Sequence, residues 1–127
     1  MKEVVATLKA PQAIGPYSQG IKISGSNLIF CSGQVAIDPE TKKIIGNTAA
    51  EQCQQVLKNL GEILKSAGAG YNDIVKTTMY LSDMNDFKSV NEVYATFFDK
   101  QPPARATVQV SRLPLDAKVE IDAIAVI

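Results

Sequence analysis

Between Thr48 and Gly68 the sequence spells out both ends and one face of an α-helix, and this constrains the fold more than any other stretch. Thr48-Ala49-Ala50-Glu51 has the form of a capping box, in which a hydroxyl and a carboxylate satisfy the free amides of a helix start. Cys53, Val56, Leu57, Leu60, Ile63, Leu64 and Ala67 follow at spacings of three and four, which puts them on one face. Gly68 suits the left-handed position that ends such a helix. A helix with one apolar face must bury it against another element.

The flanking segments supply strands for that purpose. Residues 11–20 are rich in Pro and Gly and read as an ordered loop. Ile21 and Ile23 alternate with Lys22 and Ser24, and Gly25-Ser26-Asn27 is a turn. Leu28-Ile29-Phe30-Cys31 is continuously apolar, the pattern of a strand covered on both faces, and it ends at Ser32-Gly33-Gln34. In residues 74–81, Val75, Thr77, Met79 and Leu81 alternate with Ile74, Lys76, Thr78 and Tyr80. Asp83 to Asp86 offers caps for a second helix, with Phe87, Val90, Asn91, Tyr94, Phe97 and Phe98 on its face and Pro102-Pro103 barring its continuation. Two more strands follow, about 105–111 and 119–127, joined through Leu113 to Ala117. The order ββ-α-β-α-ββ predicts a two-layer α/β sandwich: a sheet of about five strands with two helices on one face. At 127 residues, without repeat or linker, the chain is expected to be a single domain, 1–127. Arg105, Thr107, Gln109 and Ser111 share one side of their strand, while Glu120 and Asp122 share a side with Ile124 and Val126. Such mixed faces suit a subunit interface holding a polar pocket.

Composition removes several function classes. There is no histidine, so no Ser-His-Asp or Cys-His nucleophile system and no His-based metal site. Cys31 and Cys53 are too few for structural zinc and read as buried free thiols, with a disulfide as the alternative. Thirteen Lys+Arg balance thirteen Asp+Glu, which disfavours RNA binding through phosphates, although a local basic patch stays open. The start, Met1 to Thr7, lacks a signal-peptide core and no apolar run approaches the ~20 residues of a membrane span. The expected compartment is the cytoplasm, with no membrane partner.

Only two arginines occur, Arg105 and Arg112. Arg105 follows the stiff Pro102-Pro103-Ala104 and its guanidinium matches a carboxylate bidentately; a structural ion pair is the plainer alternative. Glu120, between Val119 and Ile121, is expected to be partly desolvated and so a better proton acceptor, the natural base in a chain without histidine; otherwise it is an exposed strand charge. Asn91 is the polar member of an apolar helix face, serving either a ligand or a helix–loop tie. Tyr17 either walls a pocket or anchors its loop. Ser32-Gly33 permits close approach of a ligand to the backbone, or marks a bulge. Gly68-Ala69-Gly70 is a helix stop, Lys42-Lys43 a turn, and Asp83 and Asp86 caps.

Pro103-Ala104-Arg105-Ala106-Thr107-Val108, Leu113-Pro114 and Val119-Glu120-Ile121-Asp122-Ala123-Ile124-Ala125 resemble the C-terminal signature of the RidA/YjgF family, also called the L-PSP endoribonuclease family. Residues 13–20 (Ala-Ile-Gly-Pro-Tyr-Ser-Gln-Gly), Ser32-Gly33-Gln34, residues 73–78 (Asp-Ile-Val-Lys-Thr-Thr), and Asn91 before Tyr94 match its other motifs, so the resemblance spans essentially the whole chain. It implies a chorismate-mutase-like fold, a homotrimer with sheets packed inward, and pockets between subunits. It also implies cofactor-free hydrolysis of 2-imino acids, such as 2-iminobutanoate and 2-iminopropanoate released by pyridoxal-phosphate enzymes, to 2-oxo acids and ammonia. By the same resemblance Arg105 would clamp the carboxylate and Glu120 would activate water. Tyr17, Ser32 and Asn91 would shape the pocket, and backbone groups at Gly33 and Thr107 would add hydrogen bonds. Many members carry cysteine where this chain has Thr107, which puts thiol chemistry at that position in doubt and leaves the backbone contact. The alternatives are RNA cleavage with translation inhibition, also attached to this family, and a ligand-sensing or chaperone-like protein without turnover. If residues 113–117 close a hairpin, Glu120 pairs near Val110, about 17 Å along the strand from Arg105. Either the connection hops a strand, or the two residues serve a pocket from different chains.

Overall fold

The computed structural model describes residues 2–25 and 27–127, so Met1, and Ser26 of the turn expected at Gly25-Ser26-Asn27, lie outside the described residues. The elements are β1 (Lys2–Val5), β2 (Gly20–Ile23), β3 (Leu28–Gln34), α1 (Ala49–Ser66), β4 (Ile74–Leu81), α2 (Phe87–Ala95), β5 (Ala104–Gln109) and β6 (Val119–Val126). The α1 boundaries follow the chemistry of its ends. The Thr48 hydroxyl accepts from the Glu51 amide at 3.1 Å. The N–H of Ala69 donates to the Leu64 carbonyl and that of Gly68 to the Lys65 carbonyl, with Gly68 at φ +78°, the double closure of a Schellman motif. Val56, Leu57, Leu60 and Leu64 are fully buried, whereas Ile63, expected on the same face, sits at its exposed margin. Gln52 is buried beside them: its carboxamide donates to Gly46 O and accepts from the Lys118 amide, tying the helix to two loops. Leu60→Ala is expected to destabilise the protein by about 3 kcal/mol, because a fully buried leucine leaves a cavity that the helix and sheet close only in part. A lower urea midpoint at unchanged denaturant slope measures this.

The main sheet has four strands in the order β3-β6-β4-β5. β4 and β5 are parallel and linked through α2, and the other pairs are antiparallel. This corrects the expectation of about five strands in one sheet. The strand at Ile21–Ile23 does not join the main sheet; β2 forms a separate antiparallel ribbon with β1, which alternation alone had not marked. Residues 110–118 hop a strand, one of the two arrangements that the sequence left open. They carry the chain over β4, so that β6 lies between β3 and β4. The crossing includes Leu115 and Asp116 at φ +58° and +54°, clasped by the exposed Arg112–Asp116 ion pair at 2.6 Å.

Both helices cover one side of the sheet, where Cys31, Met79, Leu81, Ile121, Ala123 and Ala125 meet α1 and α2. The expectation that residues 28–31 are covered on both sides fails within one chain: Phe30 is 71% and Leu28 52% exposed. They share the uncovered face with Val108, Tyr80, Glu120, Asp122 and Ile124, as the strand registers require. α2 also ends earlier than expected, at Ala95, where the Thr96 hydroxyl donates to Val93 O at 2.7 Å. Phe97 and Phe98, beyond the helix, still pack edge-on against Tyr71. Cys31 and Cys53 are buried free thiols. No helix among the described residues is long and apolar enough to cross a membrane.

Candidate functional site

Arg105 stands on the edge strand β5 and points toward α2. Its strand neighbour Thr77 shares a buried hydrogen bond with the Tyr94 hydroxyl at 2.8 Å, which fixes the Tyr94 ring beneath the guanidinium. The Arg105 Cζ lies 4.9 Å from the centroid of Tyr94, 5.5 Å from Phe87 and 5.7 Å from Tyr17. Its Nη1 donates to Asn91 Oδ1 at 2.6 Å. Three rings and one amide oxygen hold the cation, each worth on the order of 1 kcal/mol. No carboxylate does: among the described residues the ion pair found is Arg112–Asp116. Burial pulls the Arg105 pKa down, against the opposing effects of Tyr94, Tyr17 and Cys53, yet a guanidinium stays charged. The site therefore holds a half-buried positive charge that is oriented but not neutralised. Cys53, behind Tyr94, is inert: burial pushes its thiol up to about 12.

Thr107 follows two residues along the same side of β5, and its hydroxyl oxygen is buried without a partner. An unpaired buried hydroxyl costs on the order of 1–3 kcal/mol. Thr107→Val is therefore expected to leave the thermal midpoint equal or higher, and turnover within about threefold, if the backbone alone of this residue serves the site. A large loss of kcat would assign a role to the hydroxyl.

A second group lies on the other side of the sheet. The β3–β6 register slips between Cys31 and Gln34, so Ser32-Gly33 is a bulge, and both residues are exposed. The Glu120 carboxylate lies across Gly33: a Cβ added there would come 2.9 Å from Glu120 Cδ and closer still to Oε2, so any larger residue would displace the carboxylate. Glu120 is paired across the strands with Tyr80, whose hydroxyl donates to Asp122 Oδ2 at 3.0 Å. That bond, with burial and the charges of Asp122 and Glu120, raises the Tyr80 pKa. Glu120 itself is half-buried.

The residues singled out from the sequence thus form two constellations. Arg105, Asn91, Thr107 and Tyr17 are together on the helix side; Glu120, Ser32 and Gly33 are together on the uncovered side. The sequence missed Thr77, Phe87 and Tyr94 as the seat of Arg105 and Tyr80–Asp122 as the neighbours of Glu120. The signal for the first was present, since Phe87, Asn91 and Tyr94 recur at helical spacing. A cleft of about 450 Å³ beyond Tyr17, lined by Val4, Val5, Gln12, Ala13 and Lys100 among others, touches neither Arg105 nor Glu120.

Residues 7–127 match the family described as Endoribonuclease L-PSP. A protein of Arabidopsis thaliana named Reactive Intermediate Deaminase A, chloroplastic, is 56% identical over 124 residues, which is 98% of this chain and 65% of that longer protein. A Mus musculus protein named 2-iminobutanoate/2-iminopropanoate deaminase is 51% identical over 126 residues, covering 99% of this chain and 92% of its own. Among solved structures, that of TdcF from E. coli with bound serine superposes with a TM-score of 0.75 at 42% identity, covering 98% of both chains.

Proposed function

The chain belongs to the L-PSP endoribonuclease family, the RidA/YjgF proteins, and from that premise we propose that it is a deaminase that hydrolyses 2-iminobutanoate and 2-iminopropanoate. Water adds to the C=N carbon, the carbinolamine collapses, and a 2-oxo acid and ammonia leave. The observation that carries this reading is Arg105: a desolvated guanidinium held by Asn91 and three rings, with no acidic side chain to satisfy it. Such a group is a receptor for a small carboxylate. The serine bound to the E. coli relative is a ligand of that size and carries that group.

In this reading Arg105 holds the substrate carboxylate and Tyr17 walls the substrate. Glu120 holds and deprotonates the attacking water, while Ser32 and the Gly33 backbone border that water. Positioning and one carboxylate suffice, because small imines already hydrolyse in water. Arg105 and Glu120 are on opposite sides of one sheet, so the site needs Glu120 from a second copy. The uncovered face, with Phe30, Leu28 and Val108 exposed beside Glu120, is the surface that a homotrimer would close.

The test generates 2-iminobutanoate with a threonine dehydratase in the presence of semicarbazide, which competes for the imine. Wild-type protein is expected to suppress semicarbazone formation in proportion to its concentration. No suppression with either 2-iminobutanoate or 2-iminopropanoate would overturn the deaminase reading.

A further inference from the structure

The segment before Tyr17 is ordered by two side chains that the reaction itself does not use. Residues 6–15 are exposed throughout and contribute to neither hydrophobic cluster, so burial does not hold them. With no apolar burial to order such a segment, hydrogen bonds are what define its path. The carboxamide of Gln19 supplies most of them. Its Oε1 accepts from the Thr7 amide at 2.6 Å, and its Nε2 donates to Pro11 O at 2.5 Å and Thr7 O at 3.1 Å. One side chain thereby engages both backbone groups of Thr7, as a neighbouring strand would.

Ser18 does the matching work on the β5 side. It is 6% exposed and forms a parallel bridge with Ala104, the residue before Arg105. Its amide donates to Pro103 O at 3.0 Å and its hydroxyl donates to Pro102 O. The two prolines have no N–H to offer, so this edge presents only acceptors, and a serine with two donors fits it. Upstream, the Tyr17 amide closes a three-residue turn onto Gly15 O at 2.8 Å around Pro16. Tyr17 is thus held from both directions, and its ring stands over Arg105 as a result.

We propose that Ser18 and Gln19 are positioning residues of the deaminase site, setting Tyr17 against Arg105 and so fixing the wall that the substrate meets. The kinetic consequence rests on the deaminase reading; the placement of Tyr17 does not. Neither residue touches substrate. Gln19→Glu keeps the acceptor for Thr7 N–H but sets a carboxylate against the carbonyl oxygens of Thr7, Ala10 and Pro11, so it is expected to behave as Gln19→Ala does.

The experiment combines Ser18→Ala, Gln19→Ala and Gln19→Glu with Tyr17 and Tyr17→Ala backgrounds, and follows kcat/KM for 2-iminobutanoate and the thermal midpoint. With Tyr17 present each change is expected to lower kcat/KM about tenfold, mainly through KM; with Tyr17→Ala each is expected to change it less than twofold, since coupled residues are non-additive. Equal losses in both backgrounds would overturn the proposal. A second readout needs no activity: in protein labelled with 3-fluorotyrosine, the ¹⁹F resonance of Tyr17 is expected to move toward the free-tyrosine position in Gln19→Ala. An unmoved resonance would overturn the proposal even if wild-type protein proved inactive, an outcome that by itself would count against the deaminase reading alone.

Discussion

Arg105→Ala is expected to lower kcat/KM for 2-iminobutanoate about a thousandfold, and Arg105→Lys about a hundredfold. A thousandfold corresponds to about 4 kcal/mol, within the range for removing one partner of a desolvated, hydrogen-bonded charge pair. Lysine keeps the charge but loses the planar fork that meets two carboxylate oxygens and stacks on Tyr94, Phe87 and Tyr17. Stability should move differently. Because no carboxylate offsets the burial of Arg105, deleting it removes an unfavourable desolvation along with the Asn91 hydrogen bond. The three ring contacts are lost as well, so the two effects oppose and the thermal midpoint is expected to move little. Retained turnover in Arg105→Ala, or a collapse in stability without a catalytic defect, would make Arg105 a structural residue and sink the carboxylate-receptor reading.

Glu120→Gln is expected to lower kcat by about 10²–10⁴ with KM little changed, the usual cost of removing a general base. The amide fills the same space over Gly33, so the bulge should survive. The stronger result comes from mixing. Arg105→Ala and Glu120→Gln, each inactive alone, should regain about a quarter of wild-type turnover when refolded together in equal amounts, since in a cyclic oligomer each site takes one residue from each neighbour and half of each is intact. No recovery would mean that one chain supplies both residues, contrary to their positions on opposite sides of the sheet. Gly33→Ala provides a third arm: its Cβ would displace the carboxylate, and it should resemble Glu120→Gln.

The sequence carried some of this geometry and not the rest, for reasons visible in individual residues. α1 was readable from end to end because its cap, its spacing and Gly68 act within a few residues of one another. β1 was not: four residues with half-buried Lys2 and Val4 are defined by pairing with β2, and that pairing is non-local. Gln52 was invisible for a related reason, since nothing local says that a helical glutamine will find Gly46 and Lys118. The site shows the same division. Alternation correctly put Arg105 with Thr107, and Glu120 with Asp122. It could not say whether those two sides coincide, because parity within a strand fixes nothing across strands until the register is known. The order β3-β6-β4-β5 supplies that register, and the two sides prove opposite.

The same strand order has a consequence for how the protein is made. β6 comes from residues 119–126, yet it occupies an interior position between β3 and β4. While the ribosome is still adding earlier residues, β3 has no neighbour in the main sheet, and β4 can pair only with β5. A nascent chain must therefore keep the apolar edges of β3 and β4 apart and unpaired until the last strand slots between them, and its sheet closes late and all at once. Chains interrupted before Val119 would expose those edges permanently, which makes them clients for chaperones and proteases rather than partly active protein.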